Sequence, residues 1–174
     1  MSESLSPDLA LMRALGFTAD DLAANRAGQL SEMQLYWLRV RRRRSIFTGL
    51  IIILVLVFIA SLFIFLGQRE GGSIILAFIG IGLMLCNAAL VGVFARHWLR
   101  LSADLREKSV QTTTGPLERV IKPVGRRVLN YAIRVDDIEL FVSKEVFDIF
   151  VHQAPYTIYR ASYTGALLSV ERKE

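Results

Sequence analysis

The chain has 174 residues, 53% of them hydrophobic, with a formal net charge of +5 and a mean hydropathy of +0.41. That length suits one soluble domain, but one such domain cannot bury so much apolar surface, and the same surplus excludes a disordered chain. Cys86 is the single cysteine, which excludes an internal disulfide framework; a small membrane protein remains.

Three short helical signals open the chain. Pro7 and Asp8 begin a stretch carrying Leu9, Leu11, Met12 and Leu15, and Gly16 closes it. Thr18 caps Ala19 to Arg26 with Asp21 as the third-position partner of a capping box, Gly28 stops that helix, and Ser31 with Gln34 makes a second box. No breaker follows Glu32 until Gly49, so the third helix is expected to run unbroken into the bilayer and hold the first two against the inner surface. Leu11, Leu15, Phe17, Leu22 and Leu30 read as the packing side of a small helical cap, with an adaptor surface for another protein as the sharper alternative. The string Leu15-Gly-Phe-Thr-Ala-Asp-Asp-Leu-Ala-Ala-Asn-Arg-Ala-Gly-Gln-Leu-Ser31, with the ending Leu167-Leu-Ser-Val-Glu171, resembles phrases carried by uncharacterised bacterial two-span membrane proteins. The resemblance covers both ends and the layout between, and it implies no reaction, ligand or functional residue. Read physically, Asn25, Arg26 and Gly28 form a helix terminus and its turn.

No charge falls between Ser45 and Gln68 or between Gly71 and Ala95, and each stretch exceeds the roughly 20 residues that cross a bilayer. Spans are expected at about 45–67 and 72–95 within a hairpin unit at 39–108. The connection Gly67-Gln-Arg-Glu-Gly-Gly72 forces them antiparallel, because backbone inside lipid must be satisfied within helices. Arg39, Arg41, Arg42, Arg43 and Arg44 precede the first span and Arg96 and Arg100 follow the second, against one Arg in the loop. Positive-inside then places both termini in the cytoplasm of a cell (inner or plasma) membrane. Several acids in the more than 40 residues before the apolar run argue for an uncleaved anchor rather than a signal peptide. The Arg block is expected to meet anionic lipid headgroups, not nucleic acid.

In the second span Ala77, Gly80, Met84, Ala88, Gly92 and Ala95 recur at helical spacing, so one face admits a close backbone approach. The partner on that face is either the first span or a second copy, and a homo-oligomer is one of the two outcomes. Asn87, the strongly polar side chain of the spans, is expected to bond across helices. With only the hydroxyls of Thr48, Ser61 and Ser73 beside it, no conduction path is implied. Cys86 reads as a small packer.

From Ser109 the texture turns to short β-branched alternation, the pattern of strands. Strands are expected at Val110 to Ile121 with a bend at Gly115-Pro116, Val128 to Val135, Ile138 to Val142, Tyr156 to Ser162 and Ala166 to Glu171. A loop is expected at Pro123-Val-Gly-Arg-Arg127, turns at Asp136-Asp137 and Thr164-Gly165, and a helix capped by Ser143 over Lys144 to Phe150. Five strands with a helix after the third match the order of an OB-like barrel or an SH3-like one, plugged by Val146, Ile149 and Phe150. Tyr131, Phe141, Tyr156, Tyr159 and Tyr163 beside Arg126, Arg127 and Arg160 resemble a stacking platform. However, residues 109–174 carry nine bases against eight acids, too even a balance to drive phosphate binding.

No Gly-rich phosphate loop, His-Glu-x-x-His or nucleophile with a base occurs. His97 beside Trp98 reads as an interfacial belt and His152 as a loop residue. The sequence therefore predicts an α+β membrane protein with helical segment 1–38, hairpin 39–108 and β domain 109–174. It needs no enzyme activity, metal or cofactor. Its expected role is a membrane-anchored interaction or scaffold module with a protein partner, the alternative being an accessory subunit of a transport or envelope complex.

Overall fold

The structure, a computed structural model, describes residues 7–124 and 128–173. In chain order it comprises α1 (Pro7–Leu15), α2 (Ala19–Arg26), α3 (Glu32–Gln68), α4 (Ile74–Glu107), β1 (Val110–Val124), β2 (Val128–Val135), β3 (Ile138–Val142), α5 (Lys144–Ile149), β4 (Pro155–Ala161) and β5 (Leu167–Arg172). They fall into two compact units. One is Tyr36–Arg106; the other joins the residues up to Leu35 with those from Glu107 onward.

In the first unit α3 and α4, of 37 and 34 residues, extend about 55 and 51 Å at 1.5 Å per residue, well beyond a hydrocarbon core of about 30 Å. Both are long and apolar enough to cross a membrane, and only 11% of each most apolar window is buried. The intervening turn closes through Gly72 N–H donating to the Arg69 carbonyl at 2.7 Å. Small residues set the distance between the helices. A Cβ built on Gly80 falls 2.6 Å from Ile64 Cγ1 and 2.7 Å from the Ala60 carbonyl oxygen, and one on Gly67 falls 2.5 Å from Ala77 N. No larger side chain fits at either place.

In the second unit the antiparallel sheet has the order β3-β2-β1-β4-β5. β1 serves two partners: Val110–Pro116 pairs with β4 and Leu117–Val124 with β2. The expected bend at Gly115-Pro116 therefore marks the change of partner. The barrel does not form. Among the described residues no pairing joins β3 to β5, so the OB-like and SH3-like closures give way to an open sheet. The physical reason lies at the β5 edge, where α1 and α2 pack. Gly125, Arg126 and Arg127, the centre of the expected loop, lie outside the described residues.

The core contains Leu117, Ile133, Val135, Tyr156, Ile158 and Val170 from the strands, with Val146, Phe147 and Phe150 from α5 and Leu11 from α1. The Phe150 and Tyr156 rings meet edge to face at 5.2 Å, a favoured aromatic arrangement, and Val151 N–H donates to the Tyr156 hydroxyl at 3.2 Å. Because Leu11 is fully buried among these residues, the helices before the hairpin and the strands after it share one core.

Candidate functional site

The N-terminal phrase folds into a polar network. At the start of α2 the Thr18 amide donates to Asp21 Oδ2 at 2.8 Å and the Asp21 amide to Thr18 Oγ1 at 3.2 Å. At the start of α3 the Ser31 amide donates to Gln34 Oε1 at 3.2 Å and the Gln34 amide to Ser31 Oγ at 3.1 Å. Both expected capping boxes are present, and they are tied together. The Ser31 hydroxyl donates to Asp21 Oδ1, while Asn25 Nδ2 donates to the Asp21 carbonyl at 2.7 Å and to Gln34 Oε1 at 2.9 Å. Gly28, at φ +75°, turns the chain so that the Leu30 amide reaches the Lys108 carbonyl and the Val110 amide reaches the Gly28 carbonyl, both at 3.1 Å. The phrase thus adds a short ladder beside the start of β1.

At the end of α2, Arg26 Nε donates to Glu171 Oε2 on β5 at 2.8 Å, and the Tyr159 hydroxyl on β4 donates to Glu171 Oε1 at 2.7 Å. Burial alone pushes the Glu171 carboxyl up, but the hydrogen bonds from Tyr159 and Arg26 and the guanidinium charge outweigh it and hold it below the usual carboxylate range. Burial and the bond to Glu171 push the Tyr159 phenol up to about 12. Asn25, Arg26 and Gly28 are thus a helix terminus and turn, as their chemistry suggested, and also the joint between α2 and the sheet. This network positions α2 against the sheet.

Further along the same face of the sheet, turned away from the core, β1, β2 and β3 carry a different pattern. Val120, Ala132 and Phe141 are direct cross-strand partners on β1, β2 and β3, forming an apolar row that ends in a Phe141 side chain 66% exposed. Charges from the same strands flank it: Lys122 Nζ to Glu139 Oε1 at 2.6 Å, Arg134 Nη2 to Glu139 Oε2 at 3.2 Å and Arg134 Nη1 to Glu118 Oε2 at 3.8 Å. The hydrogen bonds from Lys122, then Arg134, hold the Glu139 carboxyl below its ordinary range. Ala132 at the middle of the row is fully buried and Val120 partly so, which leaves Phe141 as the exposed aromatic among these charges. The other aromatics are elsewhere. Tyr156 and Tyr159 are buried and Tyr131 packs on Phe147 at 5.1 Å, so the five do not form one platform. His152 Nδ1 accepts from the Arg119 amide at 3.1 Å.

On the apolar unit, Arg39, Arg41, Arg42, Arg43 and Arg44 all lie on α3. Four successive residues sweep about 300° of a helix, so the block is a collar, and among the described residues no ion pair holds any member of it. The residues expected to pack α4 divide. Ala77 and Gly80 meet α3 at Gly67 and at Ala60 with Ile64, which makes α3, rather than a second copy, the partner of this part of the face. Ala88 is exposed and a Cβ on Gly92 meets nothing within 4 Å. Asn87 is buried, but its Oδ1 has no hydrogen-bond partner among the described residues, so the expected bond across helices is not made there.

The chain matches no family model, no curated protein and no solved structure.

Proposed function

We propose that this protein is a membrane-anchored interaction module of a bacterial inner membrane, in which α3 and α4 span the bilayer, both termini are cytoplasmic, and the α+β unit presents its sheet face to a protein partner. The observation that carries this reading is the division of labour. One unit is two long helices whose apolar windows are 89% unburied, and the other is a packed α+β unit with Phe141 exposed amid paired charges. Apolar side chains such as Phe58, Phe78 and Leu85, each at least 66% exposed, need lipid rather than water around them. The resemblance of the two terminal strings to bacterial two-span membrane proteins supports the same reading.

A photoreactive amino acid at Phe141 in the full-length protein, irradiated in intact cells, tests the role. A discrete adduct that is lost with Arg134→Glu, and is absent when the label sits at Glu145 on α5, is the expected outcome. Equal labelling at both positions would remove the interaction face. Full rescue of a null strain by residues 36–106 alone would favour a membrane subunit instead.

A further inference from the structure

We propose that the groove between α3 and α4 at the Arg-collar end of the hairpin is a specific site for an anionic glycerophospholipid. One acyl chain lies in the groove and the phosphate is held by Arg42. This deepens the membrane reading above and rests on it.

The groove encloses about 190 Å³ and is lined by Ser45, Gly49 and Ile53 of α3 and by Phe94, Ala95 and Trp98 of α4. Gly49 presents no side chain to it, and the Phe94 ring packs over that position, 3.2 Å from where a Cβ would stand. Its walls are apolar along their length, with the Ser45 hydroxyl at one end. A void of this kind does not stay empty beside lipid tails, because its lining atoms lack contacts that a methylene chain supplies.

Charge selects which lipid. Arg42, Ser45 and Gly49 follow at intervals of three and four on one face of α3, so the guanidinium lies on the face that leads into the groove. Arg42 is also the partly buried member of the collar, the other four being exposed. A guanidinium fork matches phosphate oxygens bidentately. A zwitterionic headgroup brings its own cation to that phosphate, whereas an anionic glycerol headgroup leaves Arg42 as the counter-charge. Trp98, 47% exposed at the rim, has the amphipathic ring suited to the headgroup boundary.

Trp98 also reports occupancy. The chain has two tryptophans, so the full-length Trp37→Phe protein leaves Trp98 as the one indole. It is reconstituted in phosphatidylcholine vesicles doped with a small fixed fraction of acyl-brominated phosphatidylglycerol or, in the matched arm, acyl-brominated phosphatidylcholine. The expected result is Trp98 quenching with an apparent affinity about fivefold higher for the anionic lipid. That preference should be abolished by Arg42→Gln and by the groove-filling Ala95→Leu, and kept by Arg43→Gln, whose side chain points from another face. Equal quenching by the two lipids overturns the site. So does a preference that Arg43→Gln removes as fully as Arg42→Gln, because the collar as a whole would then attract the lipid. Quenching by neither lipid overturns the membrane reading together with the site.

Discussion

Arg26 and Glu171 meet across 145 positions of the chain, with Arg26 Nε 2.8 Å from Glu171 Oε2. The two terminal strings therefore touch, and the carboxylate between them serves two donors of unequal burial. The Arg26 side chain is 58% exposed, so its pair is worth about 0.5 kcal/mol. The Tyr159 hydroxyl is buried with its ring, and losing its acceptor costs about 2 kcal/mol. Glu171→Ala should therefore destabilise the protein several-fold more than Arg26→Ala, measured as the change in denaturation midpoint of the full chain in micelles. Equal effects would mean that the exposed pair, not the buried phenol, dominates the joint.

The same cluster sets two pH limits. Glu171 is held below its ordinary 4.5, so its contribution is present above that pH and is lost as pH falls through the lower folded value. Tyr159 is raised from 10.0 to about 12, so the folded protein keeps a proton that the unfolded chain releases. Stability should fall between about pH 10 and 12 by about 1.4 kcal/mol per unit. Tyr159→Phe should flatten the alkaline limb of a stability–pH curve. A limb unchanged by that substitution would assign it to another group.

Leu11 is fully buried within the core of the sheet unit. Leu11→Ala should cost about 3 kcal/mol, while Phe141→Ser, on the exposed face, should cost less than about 0.5 kcal/mol. Residues 109–174 expressed alone lack Leu11 and the partly buried Leu15 that packs beside it. They should melt well below the full chain, and residues 1–35 added in trans should raise that midpoint. An isolated fragment as stable as the unit in the intact protein would show that α1 adds nothing to the core.

Local chemistry made much of this legible in the sequence. Thr18 with Asp21 and Ser31 with Gln34 announce their own caps three residues apart. The β3 limits Ile138–Val142 follow from alternation, and Gly16, Gly28 and Gly165 take the positive φ that their places in turns required. Long-range partners left no such mark. Leu11 looks like any helical leucine until the sheet covers it, and nothing local pairs Arg26 with Glu171. The barrel was expected because element order alone suggests closure, whereas an edge capped by helices has the same order. On α4 the small-residue spacing located the face but not its extent. Gly80 is pressed against Ala60 and Gly92 is not pressed against anything, because only the contact geometry of a second helix tells them apart.

That contrast gives a prediction for the hairpin. Gly80→Val must displace Ile64 or the Ala60 backbone and should lower hairpin stability by more than about 2 kcal/mol, whereas Gly92→Ala should be neutral within about 0.5 kcal/mol. Asn87→Leu removes a buried oxygen that lacks a partner and should hold or raise stability by about 1 kcal/mol. Reversible unfolding in mixed micelles measures all three. A large loss with Asn87→Leu would show that the amide bonds to a partner outside the chain, such as a second copy.

With α3 and α4 spanning the bilayer as proposed, charge sets the orientation and accessibility tests it. Five arginines from Arg39 to Arg44, with Arg96 and Arg100, lie at one end of the helix pair, and the connecting turn carries Arg69 with Glu70. Moving the collar across a bilayer costs far more than moving the turn, whose single guanidinium also lies 5.1 Å over the Phe65 ring. The collar should therefore stay on the cytoplasmic side. Cys86 is exposed on α4 and must first be replaced by Ser so that only introduced thiols report. A cysteine at Gln68 should then react with a membrane-impermeant maleimide in intact spheroplasts. One at Thr112 on β1 should react only after the membrane is opened. The reverse pattern would turn the hairpin over. It would also place the Phe141 face outside the cell, and with it any partner that face binds.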